Sequence, residues 1–212
     1  MIKISASLLS IRDKLIDTTL ELNNLDIDYI HLDIMDSIFV PNSSYTDEEI
    51  INIVNNTEKK LDVHLMVEDI DTYIDTYALP ITDSITFHYE AMKDIRQIKK
   101  LKDLGIKCGI AIKPNTKVEE IYDLLPYINR VLIMSVEPGK GGQEFIPESL
   151  EKIKKLKTKI KELNLNVLIS VDGGININSA PQCIESGVDI LVIGSALTSS
   201  NNKEEFIRKI KM

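Results

Sequence analysis

Two short segments of the chain pair a histidine with an aspartate at a spacing that suits a metal site. His31 and Asp33 are separated by one residue and follow the largely apolar run 27–30, which predicts a buried strand. Asp62 and His64 repeat the pairing in a second apolar segment. Residues two apart on a strand share a face, so each pair presents an imidazole and a carboxylate together. Two such half-sites favour a divalent-metal site over ordinary polar residues at strand ends.

Three loops in the second half of the chain are rich in glycine, at residues 139–142, 173–174 and 194–195. Glycine lets backbone N–H groups approach an anion closely, and a helix that begins after the loop adds partial positive charge. A single glycine pair is common in ordinary turns, so the indication comes from several such loops together. They predict a site for a phosphate group.

Short β-rich segments alternate with amphipathic helical segments along the whole chain. Strands that alternate with helices form parallel sheets, and strands that are apolar on both faces need helices over the sheet. The predicted strands are 2–7, 28–33, 61–66, 84–88, 107–112, 130–136, 167–172 and 190–193. The predicted helices are 11–22, 47–54, 70–78, 91–104, 118–125, 147–163, 178–186 and 203–210. Eight units predict an α/β fold, a closed (β/α)8 TIM barrel that forms one domain over residues 1–212.

An open, doubly wound sheet is the alternative fold for the same alternation of elements. Its dinucleotide-binding form places G-x-G-x-x-G after the first strand, whereas residues 5–10 here read Ser-Ala-Ser-Leu-Leu-Ser. The closed barrel is therefore preferred.

The polar residues of interest collect at the carboxyl ends of the predicted strands. All three histidines of the chain lie there, namely His31, His64 and His88, and so do Asp33 and Asp172. A barrel carries its active site at this rim and commonly binds phosphate in the loops after strands seven and eight. The last two glycine loops occupy those positions. The pattern predicts a rim site with histidines, carboxylates and a phosphate cradle.

Composition narrows the classes of partner. The net charge of −8 and the pI near 5.0 argue against a nucleic-acid surface, which needs a basic patch. No apolar run reaches membrane-spanning length, and the first residues do not form a signal peptide. Two cysteines provide no disulfide framework. We therefore expect a cytoplasmic protein with reduced thiols, no nucleic-acid partner and no membrane partner.

The order and spacing of nine short motifs identify a resemblance to a known family. The motifs are 7–10 (SLLS), 31–36 (HLDIMD), 39–42 (FVPN), 62–67 (DVHLMV), 88–91 (HYEA), 135–139 (SVEPG), 141–143 (GGQ), 171–174 (VDGG) and 194–196 (GSA). Together they resemble the D-ribulose-5-phosphate 3-epimerases from end to end. The similar barrel of orotidine-phosphate decarboxylases carries Asp-x-Lys-x-x-Asp, which this chain lacks.

The resemblance implies roles for the residues that match the motifs. The implied metal ligands are His31, Asp33, His64 and Asp172. The implied acid/base pair is Asp33 and Asp172. The implied substrate and phosphate contacts are Ser7, His64, Gly139, Lys140, Gly141, Gly142, Asp172, Gly173, Gly174, Gly194 and Ser195. Mixed nitrogen and oxygen ligands suit one divalent ion per subunit, with Zn²⁺ or Fe²⁺ preferred and Co²⁺ or Mn²⁺ as alternatives.

The implied reaction is a metal-dependent epimerisation at C3 that interconverts D-ribulose 5-phosphate and D-xylulose 5-phosphate through an enediolate, in the pentose phosphate pathway. The expected partner is a small phosphorylated ketose, and a homo-oligomer is expected. Two alternatives stay open at this point. One is a 3-epimerase of another ketose phosphate, such as D-allulose 6-phosphate, and the other is a barrel that binds a metal or phosphosugar without turnover.

The chain departs from the family pattern at three positions, with Ala6 in place of proline, Ser37 in place of glycine and Lys140 in place of phenylalanine. Ser37 raises the question of an altered turn if glycine normally takes positive φ there. Lys140 is either an exposed loop residue or a cation that closes over the substrate phosphate.

Four further polar residues are expected to support the site rather than to react. Asp36 is expected to serve a turn, His88 and Glu90 to lie beside the site on one face of a strand, and Asp62 to orient a ligand or to satisfy backbone donors.

Overall fold

The eight predicted strands close into a parallel barrel. The computed structural model describes residues 2–212. The strands follow each other around the barrel in chain order, and β8 pairs with β1 to close it. Their bounds are β1 Lys3–Ser7, β2 Tyr29–Met35, β3 Lys60–Met66, β4 Thr82–His88, β5 Lys107–Ile112, β6 Arg130–Met134, β7 Leu168–Asp172 and β8 Ile190–Ile193. The predicted (β/α)8 barrel is confirmed, and the open sheet is wrong.

Helices connect the strands on the outside of the barrel. They are α1 Leu15–Asn23, α2 Asp47–Asn56, α3 Ile70–Tyr77, α4 Arg96–Asp103, α5 Ser149–Glu162, α6 Ser179–Ser186, α7 Ser195–Thr198 and α8 Lys203–Lys211. Thr46 begins α2 with a capping box, because its hydroxyl accepts from the Glu49 N–H while the Glu49 carboxylate accepts from the Thr46 N–H. The short α7 after β8 was not predicted.

One predicted α-helix has a different geometry. Residues Val118–Tyr127, between β5 and β6, form a 3-10 helix instead of the α-helix expected over 118–125. Pro126 lies inside it and has no N–H to donate to the carbonyl four residues earlier, so it disfavours a regular α-helix at this end. Two helices begin later than predicted: α1 at Leu15, after the 3-10 turn Arg12–Lys14, and α4 at Arg96, after the 3-10 turn Tyr89–Ala91 and the loop 92–95.

The barrel is buried on both sides, and its two sides differ in character. In β2, Ile30, Leu32 and Ile34 pack into the large apolar core beneath the helices, so the residues between them face the barrel interior. The interior half formed by β1 to β4 carries mostly polar side chains, namely Ser5, Ser7, His31, Asp33, Asp62, His64, Ser84, Thr86 and His88. The other half carries an apolar cluster of Ala111, Leu132, Met134, Val136 and Val192.

The turn after β2 holds a serine in a conformation that favours glycine. Ser37 has a φ of 62°, in the left-handed region, where a Cβ atom costs about 1 kcal/mol. Asp36 fixes this turn, because its carboxylate accepts hydrogen bonds from the N–H groups of Ile38, Phe39 and Glu68. The chain therefore keeps a glycine-like turn although serine occupies it, and Asp36 serves the turn as expected.

Replacement of Ser37 by glycine should raise the free energy of unfolding by about 1 kcal/mol, because the variant relieves the left-handed strain. Ser43 is exposed in the same loop without a positive φ, so Ser43→Gly should lower stability by about 0.5–1 kcal/mol. Urea unfolding of both variants and the parent measures these differences. A Ser37→Gly protein no more stable than the parent would contradict the strain assigned to this residue.

Candidate active site

Strands β2, β3 and β7 bring four potential metal ligands together at the rim. One ligand atom from each of His31, Asp33, His64 and Asp172 lies within 4.8 Å of all the others, so this cluster can hold a metal ion. Asp33 Oδ1 is 3.4 Å from His31 Nε2 and 3.3 Å from His64 Nδ1. Asp172 Oδ2 is 3.9 Å from the same nitrogen of His31 and 3.7 Å from that of His64.

The parallel register explains how distant residues form this cluster. Asp33 of β2 pairs with His64 of β3, and His31 pairs with Asp62 one layer below. Asp33 and His64 therefore form an upper layer near the rim, and His31 and Asp62 form the layer below it. Each half-site predicted from the sequence contributes one residue to each layer. Asp172 comes from β7, across the barrel interior, and completes the upper layer.

The second nitrogen of each clustered histidine is held by another side chain. His31 Nδ1 is 3.0 Å from Asp62 Oδ2, and His64 Nε2 is 3.0 Å from His88 Nε2. His88 Nδ1 is in turn 3.0 Å from Glu90 Oε2. Metal-binding histidines commonly have their second nitrogen fixed in this way. The support expected from Asp62, His88 and Glu90 is present in the hydrogen bonds.

The chemistry of the cluster fits a divalent cation. His31 Nε2 is buried, has no hydrogen-bond partner and faces the oxygens of Asp33 and Asp172. Burial lowers the pKa of His31, but Asp33 and Asp62 outweigh that effect and hold the pKa well above its usual value. The carboxylates thus favour positive charge at this point, which is the same preference that a bound cation satisfies.

The two carboxylates of the cluster differ in their electrostatic environment. Burial by itself raises the pKa of Asp33. The neighbouring His31 and His64 lower the pKa by more than burial raises it, so it lies far below the usual range. Burial and the adjacent Asp33 carboxylate raise the pKa of Asp172 to about 6. Ser7 Oγ also donates to Asp33 Oδ2 at 2.8 Å. Asp33 therefore favours the ionised form, and Asp172 holds a proton more readily.

A cavity of about 330 Å³ opens above the cluster. Asp33, Asp172 and Ser7 line it, together with three methionines, Met35, Met66 and Met134. The residues from the glycine loops that line it are Gly139, Lys140, Gly141, Gly142, Gly173, Gly174, Gly194 and Ser195. His31 and His64 lie below its floor and, among residues 2–212, do not belong to the lining.

Close packing explains one of the loop glycines. Gly139 has a φ of 102°, and a Cβ atom there would lie 2.8 Å from Val40 Cβ. Asn42 Nδ2 donates to the Gly139 carbonyl at 2.8 Å. The loop after β2 is thereby joined to the glycine loop after β6 at one side of the cavity.

Arg130 is the residue that the sequence reasoning missed. Its side chain is buried in the barrel interior and forms an ion pair with Asp62. The sequence analysis placed it only at the first position of the predicted strand 130–136 and gave it no role. The available signal was Asp62 in an apolar strand segment, because a buried carboxylate needs a partner.

Comparisons with known proteins agree along the whole chain. A model of the ribulose-phosphate 3 epimerase family matches residues 3–198. The chain is 38% identical to ribulose-phosphate 3-epimerase of Methanocaldococcus jannaschii, over 100% of this chain and 90% of that relative. It is 36% identical to ribulose-phosphate 3-epimerase of Bacillus subtilis (strain 168), over 100% of this chain and 99% of that relative.

Solved structures show the same fold. KGPDC from Streptococcus mutans has a TM-score of 0.68 at 14% identity, covering 100% of this chain and 96% of that one. A 3-hexulose-6-phosphate synthase from Salmonella typhimurium has a TM-score of 0.63 at 17% identity, covering 99% and 96%. At these identities the likeness concerns the fold alone.

The barrel fold and the relatives define a class of enzyme, an isomerase that epimerises a carbohydrate. The chain belongs to the ribulose-phosphate 3-epimerase family, which implies a phosphorylated sugar as substrate. Within residues 2–212, the helices are all too short or too polar to cross a membrane.

Proposed function

We propose that the protein interconverts D-ribulose 5-phosphate and D-xylulose 5-phosphate by epimerisation at C3. The observation that carries the proposal is the pair Asp33 and Asp172, which both line the cavity and approach the same two histidines from different strands. The family and the expected phosphorylated sugar support the substrate class. The reaction would place the protein in the pentose phosphate pathway and in the cytoplasm, and a homo-oligomer stays a prediction.

Inversion of a carbon centre needs one group on each face of a planar intermediate. The C3 proton lies next to the C2 carbonyl, and its loss gives an enediolate. One of the two aspartates, in its ionised form, accepts the proton on one face, and the other, in its protonated form, donates a proton on the opposite face. After one turnover the accepting aspartate carries the proton and the donating aspartate is ionised. The reverse reaction restores the starting protonation state, whereas a second turnover in the same direction needs proton exchange with solvent.

The proposed ligands of one divalent metal are His31, Asp33, His64 and Asp172. When bound, the ion supplies positive charge that stabilises the negative charge developed as C3 loses its proton. A donor set of two imidazoles and two carboxylates suits Zn²⁺ or Fe²⁺, with Co²⁺ or Mn²⁺ as alternatives. His64 lies below the cavity floor, so it acts in this proposal through the metal set, and a direct substrate contact remains a prediction from the resemblance.

The glycine loops after β6, β7 and β8 are the proposed phosphate site. Their backbone can approach an anion closely because glycine has no side chain. The proposed contacts are Gly139, Gly141, Gly142, Gly173, Gly174, Gly194 and Ser195, with Ser7 nearer the carboxylates. The loops and the carboxylates line one cavity, so a single phosphorylated ketose can reach both.

The reaction is tested by a coupled assay for D-xylulose 5-phosphate, with D-allulose 6-phosphate as a competing substrate. Asp33→Asn and Asp172→Asn should each lower kcat/KM by at least about 10²-fold, because each removes one acid/base group. Asp26→Asn is the matched control, since Asp26 is exposed and does not line the cavity. A chelator should abolish activity, and added Zn²⁺ or Fe²⁺ should restore it.

The outcomes separate the alternatives. A higher kcat/KM on D-allulose 6-phosphate than on D-ribulose 5-phosphate would identify the hexulose phosphate as the preferred substrate. No turnover of either sugar by metal-loaded protein would favour a binding protein. A metal-loaded Asp33→Asn or Asp172→Asn variant within tenfold of the parent would contradict the two-aspartate mechanism.

Lys140 is proposed to contact the substrate phosphate. The residue is exposed in the loop that lines the cavity, and the Gln143 side chain holds that loop by donating to the Lys140 carbonyl at 2.7 Å. Lys140→Ala should raise KM for the sugar phosphate about three- to tenfold, because an exposed ion pair contributes modestly. Lys140→Arg keeps the charge and should leave KM near that of the parent. An unchanged KM in Lys140→Ala would identify Lys140 as a loop residue without this role.

A further inference from the structure

One buried carboxylate connects five strands beneath the candidate metal site. Asp62 of β3 is 1% exposed and accepts from four side chains. Its Oδ2 accepts from Ser5 Oγ at 2.8 Å and lies 3.0 Å from His31 Nδ1. Its Oδ1 accepts from Ser84 Oγ at 2.9 Å and from Arg130 Nη1. The donors come from β1, β2, β4 and β6, so each oxygen of the Asp62 carboxylate has two hydrogen-bond partners.

The hydrogen bonds of Asp62 determine which nitrogen of His31 carries hydrogen. The ionised carboxylate can only accept, so His31 Nδ1 must be the donor in the contact between them. With its hydrogen kept on Nδ1, the imidazole can bind a metal only through the lone pair of Nε2, after any proton on that atom is lost. That atom is the buried, unpartnered nitrogen that faces Asp33 and Asp172.

Arg130 supplies the charge that this arrangement requires. Its guanidinium is buried, forms the ion pair with Asp62 and lies 5.5 Å from the centre of the Tyr29 ring. Three carboxylates surround His31, from Asp33, Asp62 and Asp172. Arg130 offsets the negative charge of Asp62, which leaves Asp33 and Asp172 as the carboxylates that face His31 Nε2.

We propose that Arg130 is a positioning residue for the reaction: it balances Asp62, and Asp62 in turn holds His31 with Nε2 free to bind the metal. This inference rests on the proposed function, because it takes His31 as a metal ligand. Arg130 lies at the opposite end of β6 from the rim and does not line the cavity, so it touches neither substrate nor metal.

The test uses the intact zinc-loaded protein labelled with ¹⁵N-histidine, and two readouts besides activity. One is the zinc dissociation constant from competition with a chelator. The other is the His31 Nδ1–H resonance and its exchange with solvent. The variant Arg130→Met removes the charge but keeps much of the side-chain volume. The matched control is Lys157→Met, which removes a partly buried lysine from its ion pair with Asp189 outside the barrel.

Arg130→Met should raise the zinc dissociation constant about 10- to 100-fold, the range typical for the loss of a group that supports a metal ligand. The His31 Nδ1–H resonance should shift and exchange faster with solvent. Lys157→Met should change neither readout. Unchanged affinity and an unchanged resonance in folded Arg130→Met would overturn the proposal.

A second variant decides the question if Arg130→Met does not fold, because removal of one member of a buried ion pair is strongly destabilising. The double variant Arg130→Met/Asp62→Asn removes one charge of each sign and keeps the interior balanced. It should also bind zinc about 10- to 100-fold more weakly, since an amide can donate to His31 as well as accept. Parent-like affinity in the double variant would overturn the proposal. Parent protein that binds no zinc would overturn the metal site itself, and that failure is visible without any variant.

Discussion

The structure depends on how charge is balanced inside the barrel. Three carboxylates, from Asp33, Asp62 and Asp172, converge on one buried imidazole, and an isolated charge in such a place would be costly. Asp62, the lower carboxylate, pairs with the Arg130 guanidinium. Asp33 and Asp172, the upper two, face His31 Nε2, which has no hydrogen-bond partner. The upper layer therefore favours a cation, and this preference links the fold to the proposed chemistry.

The division of the barrel interior into two halves follows from the same constraint. Apart from Thr86, whose buried hydroxyl has no hydrogen-bond partner, the polar side chains of β1 to β4 form a network in which serines donate to the aspartates and Glu90 holds His88. Glu90 also accepts from the Lys113 N–H and the Thr116 hydroxyl, so the loop after β5 supports the network from outside. The cluster on the opposite half gives Asp33 and Asp172 apolar surroundings, in which electrostatic interactions are stronger than in water. Strands hold Asp33 and Asp172, and the glycine loops line another part of the cavity.

Local sequence patterns predicted the elements better than the contacts between them. The alternation of apolar strands and amphipathic helices specified the barrel, and the spacing of histidine and aspartate placed two half-sites at one rim. The 3-10 helix at Val118–Tyr127 was missed because periodicity does not distinguish it from an α-helix, and α7 was missed because four residues carry no period. The pairing of Asp62 with Arg130, 68 positions apart in the chain, depends on barrel closure. Asp172 entered the predicted ligand set through the family resemblance, since its approach to β2 and β3 is likewise a tertiary property.

The most direct test of the central claim is anomalous diffraction from crystals grown with Co²⁺ or Mn²⁺, recorded at the absorption edge of the metal. The account predicts one strong peak per chain, within about 2.0–2.2 Å of His31 Nε2, His64 Nδ1 and one oxygen each of Asp33 and Asp172. His31 Nδ1 should remain hydrogen-bonded to Asp62. Ordered density for these four side chains with no peak between them, or a peak bound elsewhere, would contradict the account.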